Sequence, residues 1–172
     1  MIRRIIAATA VIGALALAST AAHGESDRAA TPKITAAGVG KVKLGMTFRQ
    51  LRNAGLVGRL RPGCELSGPD VRFARLKAPL SGTVDFTRTT PRRAKRITIR
   101  GGAEARGVGI GATISEIKTA FPKATVDHTT ESLFRITLVK VPKNGGGRIQ
   151  FAVNVDTDRT TRIAVPALAF CE

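Results

Sequence analysis

The chain states one pattern twice, 66 residues apart, and this constrains its architecture more than any single residue does. Leu44-Gly45-Met46-Thr47-Phe48, followed by Leu51 and Ala54, recurs as Ile110-Gly111-Ala112-Thr113-Ile114, followed by Ile117 and Ala120. Downstream, Gly82-Thr83-Val84-Asp85-Phe86 is echoed by Gly147-Arg148-Ile149-Gln150-Phe151, and Arg96-Ile97-Thr98-Ile99 by Arg162-Ile163-Ala164-Val165. A unit of about 65 residues is marginal on its own. The two units are therefore expected to share a core or a continuous sheet.

Local signals set the content of each unit. Thr47 stands three residues before Gln50 and Thr113 three before Glu116. Both are capping boxes, in which the Thr hydroxyl takes the N3 amide and the N3 side chain reaches back. The first helix should bury Phe48, Leu51 and Ala54 and stop at Gly55, a left-handed terminator. The second should bury Ile114, Ile117 and Phe121 and stop at Pro122. Alternating patterns then predict strands over Val71–Leu76, Thr83–Thr87 and Arg96–Ile99, and over Leu133–Val139, Arg148–Val155 and Thr161–Val165. Val39 and Lys41–Leu44 read as an extended lead-in strand. The expectation is an α+β protein of two pseudo-repeats, residues 36–101 and 102–172. In each, a short capped helix packs on a three-stranded antiparallel sheet with an extended lead-in strand.

The N-terminus reads as an address. Arg3 and Arg4 precede an apolar run, Ile5–Ala18, and a small-residue exit in which Thr20-x-Ala22 fits cleavage after Ala22. Residues 1–22 are thus expected to be a secretory signal peptide, with no transmembrane span after cleavage, and polar residues 23–35 a flexible tether. Formal net charge is +16, with 19 Arg against 9 Lys. Such a surplus attracts phosphate, lipid-headgroup and other anionic polymers and says little about fold. Tyr and Trp are absent and Phe numbers only seven, so stacking platforms for single strands are missing and no specific nucleic-acid reading is expected. Cys64 and Cys171 are the only cysteines. In an oxidising compartment an isolated pair reads most simply as one disulfide, here spanning both units.

The Leu44-Gly45-Met46-Thr47 motif and its copy, each leading into a helix and a sheet, resemble the secreted β-lactamase-inhibitor proteins. They are also similar to the small outer-membrane lipoproteins of the β-barrel assembly machinery. The resemblance implies tandem helix-plus-sheet units; it carries over the fold and not the partner. The inhibitors carry a disulfide in each repeat and an aromatic-rich concave sheet, where this chain has one Cys pair and neither Tyr nor Trp. The lipoproteins carry an acylated Cys that is missing here.

Candidate sites follow from chemistry. Arg88, Arg92, Arg93, Lys95, Arg96 and Arg100 form the densest basic stretch and the expected anionic docking patch, with Arg96 and Arg100 on one strand face and Ile97 and Ile99 on the other. Arg49, Arg52, Arg59 and Arg61 form a weaker one. Gly40-x-x-x-x-Gly45-Met46-Thr47 approximates a phosphate loop but has Met46 where the Lys is needed. Asp156-x-Asp158 has too few oxygens for calcium and reads as a turn. His128 beside Asp127 is a lone imidazole that cannot hold zinc, and no catalytic constellation assembles around it. The expected function is non-enzymatic, without cofactor or metal: a secreted or envelope binding module for an anionic envelope polymer, a lipid headgroup or an acidic protein. The rivals are a small extracytoplasmic enzyme with its site assembled between the units around His128 and Asp127, and a structural envelope protein.

Overall fold

The structure, a computed structural model, describes residues 30–63, 70–142 and 147–170. It is α+β, with short helices and much strand. Three two-residue strands, β1 (Ile34–Thr35), β2 (Gly38–Val39) and β3 (Val42–Lys43), make a small antiparallel sheet. Helix α1 (Phe48–Asn53) follows, then β4 (Val57–Pro62), β5 (Arg72–Leu76), β6 (Ser81–Phe86) and β7 (Ala94–Gly101). After α2 (Ile114–Ala120) come β8 (Thr125–Asp127), the single turn α3 (Glu131–Phe134), β9 (Ile136–Pro142), β10 (Arg148–Asn154) and β11 (Arg159–Val165). The last eight strands form one antiparallel sheet in the order β4-β5-β6-β7-β11-β10-β9-β8. Among the described residues, no helix is long and apolar enough to cross a membrane.

The sheet is joined at its centre by two strands distant in sequence. Strand β7 pairs with β11 through Ile99↔Ile163, Thr98↔Ala164 and Ile97↔Val165. All four of the Ile and Val side chains are fully buried. Pairing these strands removes two apolar edges that would otherwise recruit other chains.

Both helix entries are built from the same contacts. The amide of Gly45 donates to Ala94 O and that of Ala94 to Met46 O, each at 2.8 Å. The amide of Gly111 donates to Thr160 O and that of Thr160 to Ala112 O, also at 2.8 Å. Arg93 Nη1 reaches Gly45 O at 3.0 Å, and Arg159 Nη1 reaches Gly111 O at 3.2 Å. Gly45 and Gly111 take φ of 82° and 89°, a left-handed turn that admits the chain to each helix without a Cβ penalty. Both capping boxes are closed: Gln50 N donates to Thr47 Oγ1 and Glu116 N to Thr113 Oγ1, each at 3.2 Å, and the N3 side chains return to the cap amides.

One hydrophobic cluster holds Leu51 of α1, Ile117 of α2, and inward residues of both sheet halves, including Phe86 and Phe151. On the opposite face a small cluster, Ile136, Leu138 and Ala152, lies under Phe134, Leu168 and Phe170. The Phe134 and Phe170 rings stack at 4.4 Å.

Several expectations are corrected. Each half of the sheet has four strands, not three. Strand β4 escapes the alternation because its register slips between Val57 and Leu60, and β8 is only three residues long. Leu133, expected in a strand, sits 71% exposed in α3, and the strand starts only after Arg135 turns the chain at φ 54°. No strand leads into α2; Ala105 and Val108 form one isolated bridge instead. Ala54 faces solvent. The segment expected as a tether is ordered at its end, where Ile34 is buried and Lys33 bridges Glu104. The signal-peptide residues, Cys64 and Cys171 lie outside the described residues. Their neighbours Gly63 and Phe170 are described: Gly63 follows β4 at one sheet edge, and Phe170 packs over β9 and β10.

Candidate anion-binding face

Alternation along each strand divides the large sheet into two faces. Ala74, Val84, Ile97, Ile163, Phe151 and Val139 point into the core. Their chain neighbours must therefore point the other way. Register places Arg75, Thr83, Thr98, Ala164, Gln150 and Lys140 in one row across six strands. Beside it run two shorter rows, Phe73–Asp85–Arg96 and Arg162–Ala152–Leu138. One register step beyond Ile99↔Ile163 sets Arg100 against Arg162.

The C-terminal segment covers one end of this face. The Leu168 amide donates to Gln150 Oε1 at 2.8 Å, and Phe170 packs on Phe134 above β9 and β10. Over β5, β6 and β7 the face stays open, with Arg75 and Arg100 exposed and Thr83 and Thr98 half exposed. Thr83 and Thr98 make its floor, so long basic side chains stand around a shallow bed that ends at the fully buried Ala164.

Charges on the face are unevenly matched. Arg96 Nη1 binds Asp85 Oδ2 at 3.0 Å. Burial raises the Asp85 carboxyl above its ordinary value, and the Arg96 charge and hydrogen bond oppose that shift. Lys140 pairs with Asp127, whose carboxyl is held well below its usual range by the Lys140 and Thr129 hydrogen bonds. Arg75, Arg100 and Arg162 have no carboxylate within ion-pair distance among the described residues. Arg162 is half-buried. Its guanidinium is pulled below its ordinary value, first by burial and then by Arg100, yet a guanidinium keeps its charge at any ordinary pH.

The six residues expected to form one docking patch are split. Arg92 Nη1 donates to Asp70 O at 3.0 Å and to Thr87 O at 3.3 Å, and Arg93 holds Gly45 O, so both brace backbone. Arg88 is exposed in the β6–β7 turn. Lys95 is the extra residue where the register shifts between Phe86↔Ala94 and Asp85↔Arg96. Only Arg96 and Arg100 are regular members of the open face, and there they meet Arg75 and Arg162 from other strands. Sequence reasoning missed those two because strand order brings them in. The available signal was the 66-residue spacing of Arg96 and Arg162. Of the weaker basic group, Arg52 lies over the Phe48 ring at 6.0 Å, and Arg61 pairs with Phe73 on the edge strand.

Other candidates are occupied by structural work. Asp127 turns to Thr129 and Lys140 while His128 Nδ1 faces Glu131 Oε1 at 2.5 Å. Asp156 pairs with Arg135, and its amide, with that of Thr157, donates to Asn154 Oδ1 in a turn. Thr47, in the phosphate-loop-like segment, is spent on its helix cap. A cleft of about 640 Å³ lies between the 101–112 loop and α2. Its Arg106 is committed to Ala120 O and the Phe121 ring, and its Glu116 to the cap, which lowers that carboxyl through the Thr113 hydrogen bonds.

No family model, curated protein or solved structure matches the chain.

Proposed function

We propose that the protein is an exported, non-enzymatic binding module that docks on an anionic envelope component or an acidic extracytoplasmic protein through the open face of its large sheet. The observation that carries this reading is the set of three arginines, Arg75, Arg100 and Arg162, without carboxylate partners among the described residues, around a floor of Thr83 and Thr98. A solvated surface in a basic protein interleaves its charges with acids; here the acids stop at Asp85 and Asp127.

We read the module as two copies of one helix-and-sheet unit joined back to back at β7 and β11. The recurrence of the Gly-amide, arginine and capping-box contacts supports this. So does the seam register, in which Thr98 faces Ala164, its own counterpart 66 residues on. That arrangement is in keeping with the inhibitor-like resemblance. The charged, apolar and small-residue N-terminus supports export.

The test compares two charge reversals of equal size. Arg75→Glu with Arg100→Glu alters the open face; Lys41→Glu with Lys118→Glu alters exposed sites elsewhere. Binding is read on phosphatidylglycerol vesicles and on immobilised polyglutamate. General attraction is worth about 1 kcal/mol per basic residue near an anionic surface and would weaken both variants alike. The open-face variant is expected to lose at least tenfold more than its control. Equal losses would leave only charge-driven retention, the structural-envelope reading.

A further inference from the structure

Arg96 and Arg162 occupy matching places, 66 residues apart, each on a central strand and each pointing to the open face. Their cross-strand partners differ. Arg96 stands opposite Asp85 and binds it. Arg162 stands opposite Ala152, which has no polar atom beyond its backbone. On its other side is Arg100, a second cation. Directly opposed like charges destabilise a sheet, and a half-buried guanidinium without a counter-ion adds a desolvation penalty. The sheet could have placed a carboxylate at position 152, as it does at 85, and it does not.

We infer that Arg100 and Arg162 form a binding site for a phosphoryl group, with Thr98 as a further donor. Two guanidinium forks carry two charges and several N–H donors in fixed planes, which suit a tetrahedral dianion better than a single carboxylate. The same sheet supplies the comparison: one carboxylate, Asp85, satisfies one arginine. A phosphate monoester brings close to two charges and three acceptor oxygens. Thr98 lies next to the pair on the same face, opposite the fully buried Ala164. Thr98 is half exposed, and its hydroxyl lies within the same patch. Beyond Ala152, the Phe134–Phe170 stack bounds the site on one side. The site rests on the reading of this face as an anion-docking surface and assigns that surface its specific point.

The experiment titrates purified protein with inorganic phosphate, followed by ³¹P NMR or calorimetry against a chloride background. Arg162→Gln and Arg100→Gln should each weaken phosphate binding about tenfold or more, the usual effect of losing one charged hydrogen-bonding partner. Lys41→Gln, at an exposed site in the turn between β2 and β3, should change it less than threefold. Arg162→Lys keeps the charge and loses the fork, so it should fall between, and it gives an answer if Arg162→Gln does not fold. A second arm uses phosphatidylcholine vesicles doped with phosphatidic acid or with charge-matched phosphatidylglycerol. Preference for phosphatidic acid that disappears in Arg162→Gln identifies a lipid headgroup as the source; tight free-phosphate binding with no such preference identifies soluble phosphate. Phosphate binding that is insensitive to Arg162 and Arg100 overturns the site. If the Arg75 and Arg100 reversal still abolishes anionic docking in that case, the open-face reading stands without it. If nothing on the face matters, both fall.

Discussion

Replacing Arg100 with glutamine should make the protein more stable while it loses its anion. Cross-strand neighbours hold their Cβ atoms about 5 Å apart. Two flexible arginine arms over an open face can then relax their charges to about 7 Å, where Coulomb's law gives roughly 0.6 kcal/mol in water and about 1.2 at half that dielectric constant. Arg100 has no carboxylate to lose among the described residues, so removing it relieves repulsion without breaking an ion pair. For a domain of this size the gain corresponds to a melting-temperature rise of about 2–4 °C. The assay is thermal unfolding followed by circular dichroism at about 10 mM salt and again at 1 M, where the screening length falls to about 3 Å. The rise should be present at low salt and absent at high salt. The double variant Arg100→Gln with Arg162→Gln should show the coupling directly, because the repulsion is removed once and not twice. Phosphate at ten times its dissociation constant should stabilise the unaltered protein by about 1.4 kcal/mol and a variant that binds tenfold more weakly by only about 0.4 kcal/mol. No rise at low salt, or a rise that survives 1 M salt, would refute the like-charge argument.

Leu51→Ala and Ile117→Ala each remove a fully buried side chain from the one core that both helices share, and each should lower stability by about 3 kcal/mol. Because that core is continuous, calorimetry should still show a single transition; two transitions would mean that the halves fold separately. Acid should loosen α2 more than α1. The α2 box uses Glu116, whose carboxyl is lowered, so its contribution is complete above the ordinary glutamate value and disappears as pH falls through the lower folded value. The α1 box uses Gln50 and has no such dependence, so between pH 5 and pH 2 amide protection, corrected for the intrinsic exchange rate at each pH, should fall at α2 and not at α1. Mass spectrometry of the unreduced monomer tests the Cys64–Cys171 bridge read from the sequence: a monomer lighter by two hydrogens carries it, and two alkylatable thiols refute it.

What could be read from the sequence was whatever is decided locally. A capping box lies within four residues, so both helix starts were legible from Thr47 and Thr113. Strands β5 to β7 and β9 to β11 alternate cleanly enough to be placed within a few residues. The misses have a common cause in competition with local pattern. A register slip hides β4, and three residues are too few for β8 to show a period. Leu133 satisfies alternation but is taken by the α3 turn. The candidate site was half legible. Arg96 and Arg100 lie in an obvious basic run, while Arg75 and Arg162 join them only through strand order, which no local pattern encodes.

The same distinction bears on why an unpaired arginine matters more than a basic run. Arg92 and Arg93 are the densest part of the run, yet the backbone carbonyls of Asp70, Thr87 and Gly45 already take their donors. Charge density therefore located a brace. Arg162 is isolated in sequence, and the fold brings it to a cation while denying it an acid. A sheet that can match Arg96 with Asp85 has an evident way to neutralise such a position. Ala152 serves another need: it is fully buried beneath the apolar cover of Phe134, Leu168 and Phe170. The packing that anchors the C-terminal segment thus removes the place where a counter-ion could stand, and leaves Arg162 at the boundary between covered and open sheet. An anion arriving from outside resolves the imbalance without disturbing that packing. By this argument Ala152→Asp should be doubly harmful: it buries a carboxylate under the Phe134–Phe170 stack, and it occupies Arg162. Where such a variant still folds, phosphate should no longer raise its melting temperature.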